Sequence, residues 1–319
     1  MSFFRHWFGH EDKGAAEALL PAIDHAVSIV DPLLRQVRGY PGHYLKPISV
    51  ALEYAHALAA SLPGPVKIDR ESYASDAFVH ALFPGINFVE EALCTSEALR
   101  NYMREYPASM ELYAMMGMRR FEKSTVGMEL SGGIVQHDVA QKAVYFTSHT
   151  IENPATSEQQ SREMVAMNFF DSLLGRVKER IEQRKRTKQI QVQEKDALTG
   201  KLRAANDKDR PALEKAFAEK LSRLQATVSS LELGHYVEDF EAVLLYPGEY
   251  LKLNETPIIL DSMGIRRASD DTGLRQAVMF NDLVGYDRRT WTVTMVHCNI
   301  LDRESFASRL DKEYRRLAL

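Results

Sequence analysis

Residues 157–233 constrain the fold most strongly, because their pattern predicts two long, highly charged helices joined by a short turn. The first helix begins at a capping box, in which Ser157 and Gln160 satisfy backbone groups that have no partner inside the helix. The second begins near Pro211, which suits a first helical turn because an N–H would go unused there. The segment NDKDR at 206–210 forms the turn. A helical hairpin of this length is expected to reach toward a partner.

Apolar residues recur on one face of each helix at spacings of three and four, the helical period. They are Phe170, Leu174, Val177 and Ile181 in the first helix, and Leu213, Phe217, Leu221, Leu224, Val228 and Leu231 in the second. Folding the chain about residue 208 places Leu224 near Val192. The second helix is then too short to cover residues 170–181, which we expect to pack into a core. Residues 182–205 are predicted to extend about 35 Å from that core.

Basic residues are concentrated on this hairpin. Residues 176–232 hold fifteen Lys or Arg against nine Asp or Glu, a net charge of +6, whereas the whole chain carries −4. Seven of them form what we call the basic face, which is the candidate partner-binding surface: Arg176, Lys178, Arg180, Arg184, Lys185, Arg186 and Lys188. Such a face can neutralise phosphates or meet an acidic protein surface. The alternative is a solvated helix face, with Glu182 and Arg186 paired at i,i+4 spacing.

Outside the hairpin, residues 14–119 read as helices, and the pattern changes at residue 120. β-Branched and aromatic residues then flank a Ser-Gly-Gly turn at 131–133, which predicts a β-hairpin or small meander. Four further strands are predicted after the helical hairpin: YLKL at 250–253, PIILDSMGIRR at 257–267, QAVMFNDLVGY at 276–286 and WTVTMVHCNI at 291–300.

The predicted fold class is therefore α+β and predominantly helical. It combines an N-terminal helical region with a small, mostly antiparallel sheet or partial barrel, interrupted by the long inserted helical hairpin. The expected domains are a helical region at 1–119, a β-rich domain at 120–153 and 234–319 that ends in a C-terminal helix, and the inserted hairpin at 154–233.

Cysteine usage and hydropathy indicate a cellular compartment. Cys94 and Cys298 are the only cysteines in the sequence, too few for a disulfide framework or a cysteine-based structural zinc site. No stretch approaches the roughly 18 apolar residues of a transmembrane helix, and no signal-peptide pattern follows the first charged residues. We therefore expect a cytoplasmic protein without a transmembrane segment, and the sequence indicates no cofactor or metal.

An aromatic cluster of Phe3, Phe4, Trp7 and Phe8 opens the chain. A short amphipathic aromatic segment can lie in a membrane interface or dock into a partner's groove. The other interpretation is that the cluster folds back into the protein's own helical core. Both interpretations stay open.

The segment DSMGIRR at 261–267 resembles in composition the turn of PilZ barrels, which bind cyclic dinucleotides through arginines and a short Asp/Asn-Ser-Gly segment. The spacing here is DSxG, and the paired arginines follow the turn instead of preceding it. The resemblance implies anion contacts at Arg266, Arg267, Arg288 and Arg289.

No linear motif fixes a reaction, since the P-loop, GxGxxG, HExxH, CxxC and GxSxG patterns are all absent from the sequence. The leading hypothesis is a non-enzymatic, cytoplasmic interaction or scaffold protein that binds a protein partner through the charged hairpin. One alternative is a nucleic-acid-binding protein that uses the basic face. Another is an enzyme whose site is assembled by folding, which a pocket lined by His137, His149, His235 or His297 would favour. A homodimer through the hairpin is also open.

Overall fold

The computed structural model describes residues 13–106, 111–131, 134–261, 263–267, 276–287 and 289–299. The aromatic cluster of Phe3, Phe4, Trp7 and Phe8 lies outside the described residues, as does the predicted C-terminal helix.

The described elements confirm the α+β fold class. The helices are α1 (Lys13–Val30), α2 (Leu45–Ala60), α3 (Arg70–Ser75), α4 (Ala77–Leu82), α5 (Ile86–Thr95), α6 (Glu97–Glu105), α7 (Glu158–Ala204), α8 (Arg210–Ser229) and α9 (Leu233–Leu244). The strands are β1 (Val66–Ile68), β2 (Glu111–Ser131), β3 (Ile134–Ala155), β4 (Leu251–Leu260), β5 (Ile265–Arg266), β6 (Gln276–Gly285) and β7 (Thr290–Asn299).

Six of the strands close into an antiparallel barrel in the order β7-β2-β3-β5-β4-β6, with β6 pairing back to β7. Strand β7 takes part in this closure and also pairs with β1. One edge of β7 pairs with β2; on the other edge, residues 290–292 pair with β6 and residues 296–298 pair in parallel with β1. The predicted partial barrel is thus a closed one. Because α7 and α8 follow β3 and precede β4, the prediction of an inserted helical hairpin is confirmed.

Two local predictions are wrong. Residues 111–119 form the start of β2 rather than a helix, and residues 251–260 form the single strand β4 rather than parts of two strands. In β2, alternate residues from Leu112 to Met118 are buried in the core, so packing at a period of two overrides the helical preference of Met and Ala. Among the described residues, the edge of β4 opposite β6 bonds only at Ile259 and Leu260, so Pro257 interrupts no ladder there.

Contacts divide the chain into two compact units. Unit 1 comprises Met1–Tyr54 and Phe169–Tyr250, and unit 2 comprises Ala55–Asn168 and Leu251–Leu319. Unit 1 contains α1, α8, α9 and most of α7, whereas unit 2 contains the barrel and α3 to α6. The units are defined by contacts alone, and the three predicted domains with boundaries after residues 119, 153 and 233 stay a prediction.

Within unit 2, one carboxylate ties four strands of the barrel together. Asp282 in β6 is only 4% exposed, and its Oδ1 accepts a hydrogen bond from Thr292 Oγ1 at 2.8 Å. Its Oδ2 accepts bonds from Thr256 Oγ1 and Arg120 Nη2, both at 2.7 Å. The Arg120 guanidinium also lies 5.8 Å from the centroid of the Phe280 ring. The buried charge is therefore satisfied by β2, β4 and β7 at once.

Replacing this carboxylate is expected to destabilise the barrel. Asp282→Ala leaves the largely buried Arg120 guanidinium without its counter-ion, so we expect the free energy of unfolding to fall by about 3 kcal/mol. Urea denaturation measures this change. The matched control is Asp287→Ala in the exposed turn before β7, where the loss should stay below about 1 kcal/mol. Equal losses in the two variants would show that the buried cluster does not stabilise the barrel.

Candidate functional site

The first part of α7 belongs to the core of unit 1, as predicted. Phe170, Leu174, Val177 and Ile181 are all fully buried. The helix was expected to carry the basic face where it leaves this core. The structure shows that two arginines of the basic face, Arg180 and Arg184, have an internal partner on another helix, α9.

The buried face of α9 contains one acidic residue among apolar and aromatic ones. The buried residues are Tyr236, Asp239, Phe240, Val243 and Leu244. Asp239 is 2% exposed, and its carboxylate lies 2.8 Å from Nε of Arg180 and also pairs with Nη2 of Arg184. These two arginines stand one helical turn apart on α7, so a single carboxylate meets both.

Both arginines also donate to neighbouring oxygens. Arg180 Nη1 donates to the Tyr250 hydroxyl at 3.3 Å, and Arg184 Nη1 donates to the carbonyl oxygen of Ser230 at 3.2 Å. The second bond holds the chain just after α8 against α7. The two guanidinium groups therefore serve the internal structure of unit 1.

Lys185 has a second buried carboxylate as its partner. Its Nζ donates to Asp31 at 2.9 Å and to Glu182 at 3.0 Å, and it lies 6.0 Å from the ring centroid of Tyr236. Burial alone would lower the pKa of Lys185, but the hydrogen bonds to the two carboxylates outweigh it and raise that pKa above its ordinary value. Asp31 also accepts from the backbone N–H of Leu33 at 2.9 Å.

The basic face therefore divides into two sets. The inner set, Arg180, Arg184 and Lys185, is held by Asp239 and Asp31. The outer set, Lys178, Arg186 and Lys188, is exposed and forms no ion pair with any described residue. Arg176 belongs to neither set, since it is half-buried and pairs with Glu179 at 3.3 Å. The pair expected between Glu182 and Arg186 gives way to Glu182–Lys185.

Beyond the basic face, α7 and α8 run antiparallel and form what we call the arm, residues 189–225. Lys220 pairs with Glu194 across the arm, and the bond from Arg184 to Ser230 closes its base. Residue 207 is the midpoint in sequence between the two residues of each pair, and it lies one residue from the predicted folding point at 208. Helix α8 has no buried residue, because two helices cover each other on one side only.

The histidines considered as pocket residues have separate surroundings. His137 is exposed on β3. The others bond to different partners: His149 to Leu82 O, His235 to Glu238 and His297 to Glu111. Burial lowers the pKa of His149, which the bond to the carbonyl of Leu82 only partly offsets. These contacts give no shared site.

The arginines implied by the PilZ resemblance also have carboxylate partners. Arg266 pairs with Glu122 at 2.7 Å, Arg267 with Asp261 at 2.9 Å and Arg289 with Asp287 at 3.1 Å. Arg288 lies outside the described residues. The charge of each of these three arginines is therefore already balanced by a carboxylate, which weakens its attraction for a further anion.

The described part of the chain contains no group of three or more His, Cys, Asp or Glu side chains placed to hold a metal ion. Nor does any helix within it combine the length and the apolar character needed to cross a membrane. Comparison with protein-family models, with curated proteins and with solved structures gives no match.

Sequence reasoning missed α9 and with it the partner of the inner set. A signal was present, since Tyr236, Phe240 and Val243 recur at spacings of four and three. Asp239 falls on the same side of that pattern. An acidic residue on the apolar face of a helix indicates a buried ion pair, and the nearby surplus of arginines supplies it.

Removing the carboxylate of Asp239 should destabilise unit 1. In Asp239→Ala, Arg180 and Arg184 lose their common counter-ion while remaining partly buried, so we expect the free energy of unfolding to fall by about 2–4 kcal/mol. Chemical denaturation measures it. The control is Glu238→Ala, one residue away on the exposed side of α9, with an expected change within about 0.5 kcal/mol. A loss in Asp239→Ala no larger than in the control would contradict this role.

Proposed function

We propose that this chain is a non-enzymatic, cytoplasmic interaction protein that binds an acidic protein partner along the arm and the outer set. The observation that carries the proposal is the uncovered state of the arm. Its two helices are paired with each other, and α8 has no buried residue to show a third layer. A cytoplasmic location is supported by the small number of cysteines, of which Cys298 is a buried free thiol.

The apolar seam, where the two helices of the arm face each other, is only partly buried by their contact. Its apolar residues on α8 remain half-buried: Leu213, Phe217, Leu221 and Leu224. On α7, Ile190 is 56% exposed. A helix from a partner laid along this groove would bury the remaining apolar surface, as in other helix-in-groove complexes. The geometry thus supports recognition by packing along the arm.

Charge supports an acidic partner. The outer set supplies three cations that have no counter-ion in the described part of the chain, whereas the inner set is neutralised by Asp239 and Asp31. Exposed charges of one sign steer association and favour a partner of the opposite sign. Along the arm, the exposed basic residues alternate with exposed acidic ones, Asp207, Asp209, Glu214 and Glu219, which would repel a phosphate backbone. A protein partner is therefore favoured over nucleic acid.

Deletion of the arm tests the proposal. We expect a variant in which residues 189–225 are replaced by a short Gly-Ser link to lose the partner that the full chain retains in affinity purification. Because residues 188 and 226 are neighbours on antiparallel helices, the link bridges them without strain. The deletion spares Arg184, Lys185 and Ser230, so unit 1 keeps its ion pairs and should stay folded. Recovery of the same partners by both proteins would contradict the proposal.

A charge-reversal variant distinguishes partner contacts made by the outer set from a general effect of the net charge of the chain. Lys178→Glu, Arg186→Glu and Lys188→Glu combined should weaken partner recovery about tenfold. The control makes the same charge change at three exposed lysines elsewhere, Lys46→Glu, Lys123→Glu and Lys252→Glu, and should leave recovery unchanged. Equal effects would mean that net charge alone governs association. Material that is lost after nuclease treatment would indicate nucleic acid instead, and an arm-dependent dimer mass in solution would indicate a second copy of this chain.

A further inference from the structure

Unit 2 contains a cavity of about 730 Å³ between the helices α3 and α4 and the barrel wall. Its floor is made of buried apolar side chains: Phe83, Val144, Phe146, Leu260 and Val278. Polar and aromatic groups stand at its rim. We propose that this cavity binds a small planar aromatic molecule that carries a cationic nitrogen donor, such as an amidinium or a benzylammonium group.

The dimensions of the cavity suit a small molecule. Ligand sites usually enclose about 300–1,000 Å³, with a mostly apolar lining and a few polar groups that fix orientation. Here the floor is apolar, and the polar side chains come from one short stretch, Ser75 to His80, together with Asp261. The cavity belongs to unit 2 and the arm to unit 1, so the cavity is a second candidate binding site.

An aromatic wall favours a planar ligand. The rings of Tyr73 and His80 lie 4.8 Å apart at an interplanar angle of 32°, and both line the cavity. His80 Nδ1 lies 3.3 Å from the carbonyl oxygen of Tyr73, which fixes the two rings relative to each other. Behind the floor, Phe146 packs on Phe280 with ring centroids 5.1 Å apart. A flat ring can stack on such a pre-arranged surface with little loss of conformational freedom.

The charged side chains that line the cavity favour a cationic ligand. Two carboxylates, Asp76 and Asp261, line the cavity, and no Lys or Arg does among the described residues. Asp261 is already engaged by Arg267 and by two backbone N–H groups. Asp76 Oδ1 accepts from the backbone N–H of Phe78 at 2.8 Å, and within the described ranges its Oδ2 accepts no hydrogen bond. That oxygen is available to an N–H donor of the ligand, and it disfavours an anion.

Asp76 is also the residue at which ligand binding can be tested without disturbing the helix. It is the N-cap of α4, a position that Asn fills about as well as Asp. Asp76→Asn therefore keeps the cap and removes the charge. Asp69 is the N-cap of the preceding helix α3 and does not line the cavity, so Asp69→Asn makes the same change nearby as a control.

The experiment is a ligand-observed NMR titration of the full chain with benzamidine and with benzoate, which share a flat shape and carry opposite charges. We expect benzamidine to saturate with a dissociation constant of about 1 mM, as is usual for so small a ligand, and benzoate to bind at least about tenfold more weakly. Asp76→Asn should weaken benzamidine binding about tenfold, and Asp69→Asn should leave it unchanged.

Three results would overturn the proposal. The first is the absence of saturable benzamidine binding up to about 10 mM. The second is equal binding of benzamidine and benzoate, which would mean that the cavity selects shape without charge. The third is wild-type affinity in Asp76→Asn, which would place the bound ligand elsewhere. Far-ultraviolet circular dichroism on each variant confirms that its helices are intact.

Discussion

The organisation of unit 1 depends on the buried carboxylate of Asp239. A lone carboxylate in such a place would be strongly unfavourable, and only close cations with good geometry offset that cost. Arg180 and Arg184 supply close cations, since they lie one turn apart on α7 and both pair with the carboxylate of Asp239. The pairing fixes the side that α7 presents to α9, and Lys185 fixes the same helix against Asp31. The core of unit 1 thus ends where this ion-pair layer ends, and the arm begins there.

This constraint changes the meaning of the charge pattern. In the sequence, seven basic residues look equivalent, because an isolated helix would present all of them to solvent. In the structure, the inner set is internal, and the outer set remains for contact with other molecules. Recognition is therefore expected to depend on the outer set and on the half-covered seam of the arm. The barrel in unit 2 uses similar chemistry, since Asp282 joins strands that are far apart in sequence.

The features that could be predicted are those that repeat locally. The spacing from Phe170 to Ile181 predicted the buried part of α7, and the capping box at Ser157 predicted its start, where Gln160 N–H donates to Ser157 Oγ. The closure of the barrel could not be predicted, because it depends on β7 pairing with β2 and on β5 pairing with β3, strands that lie far apart in the sequence. The partner of Arg180 lies 59 residues away, so only the position of α9 reveals that the arginine is internal. The lining of the cavity is equally non-local, since it joins α4 to β3, β4 and β6.

Hydrogen exchange along α7 tests the central claim, that the Asp239 layer divides one continuous helix into a core part and a free arm. We predict that amides at 169–188 exchange only through opening of unit 1, whereas amides at 189–204 exchange through local fraying of the arm. The opening free energies of the two parts should then differ by at least about 2 kcal/mol. In Asp239→Ala, the amides at 169–188 should lose protection, so that their opening free energies approach those of the amides at 189–204. Uniform protection along the whole of α7, unchanged by Asp239→Ala, would contradict the account.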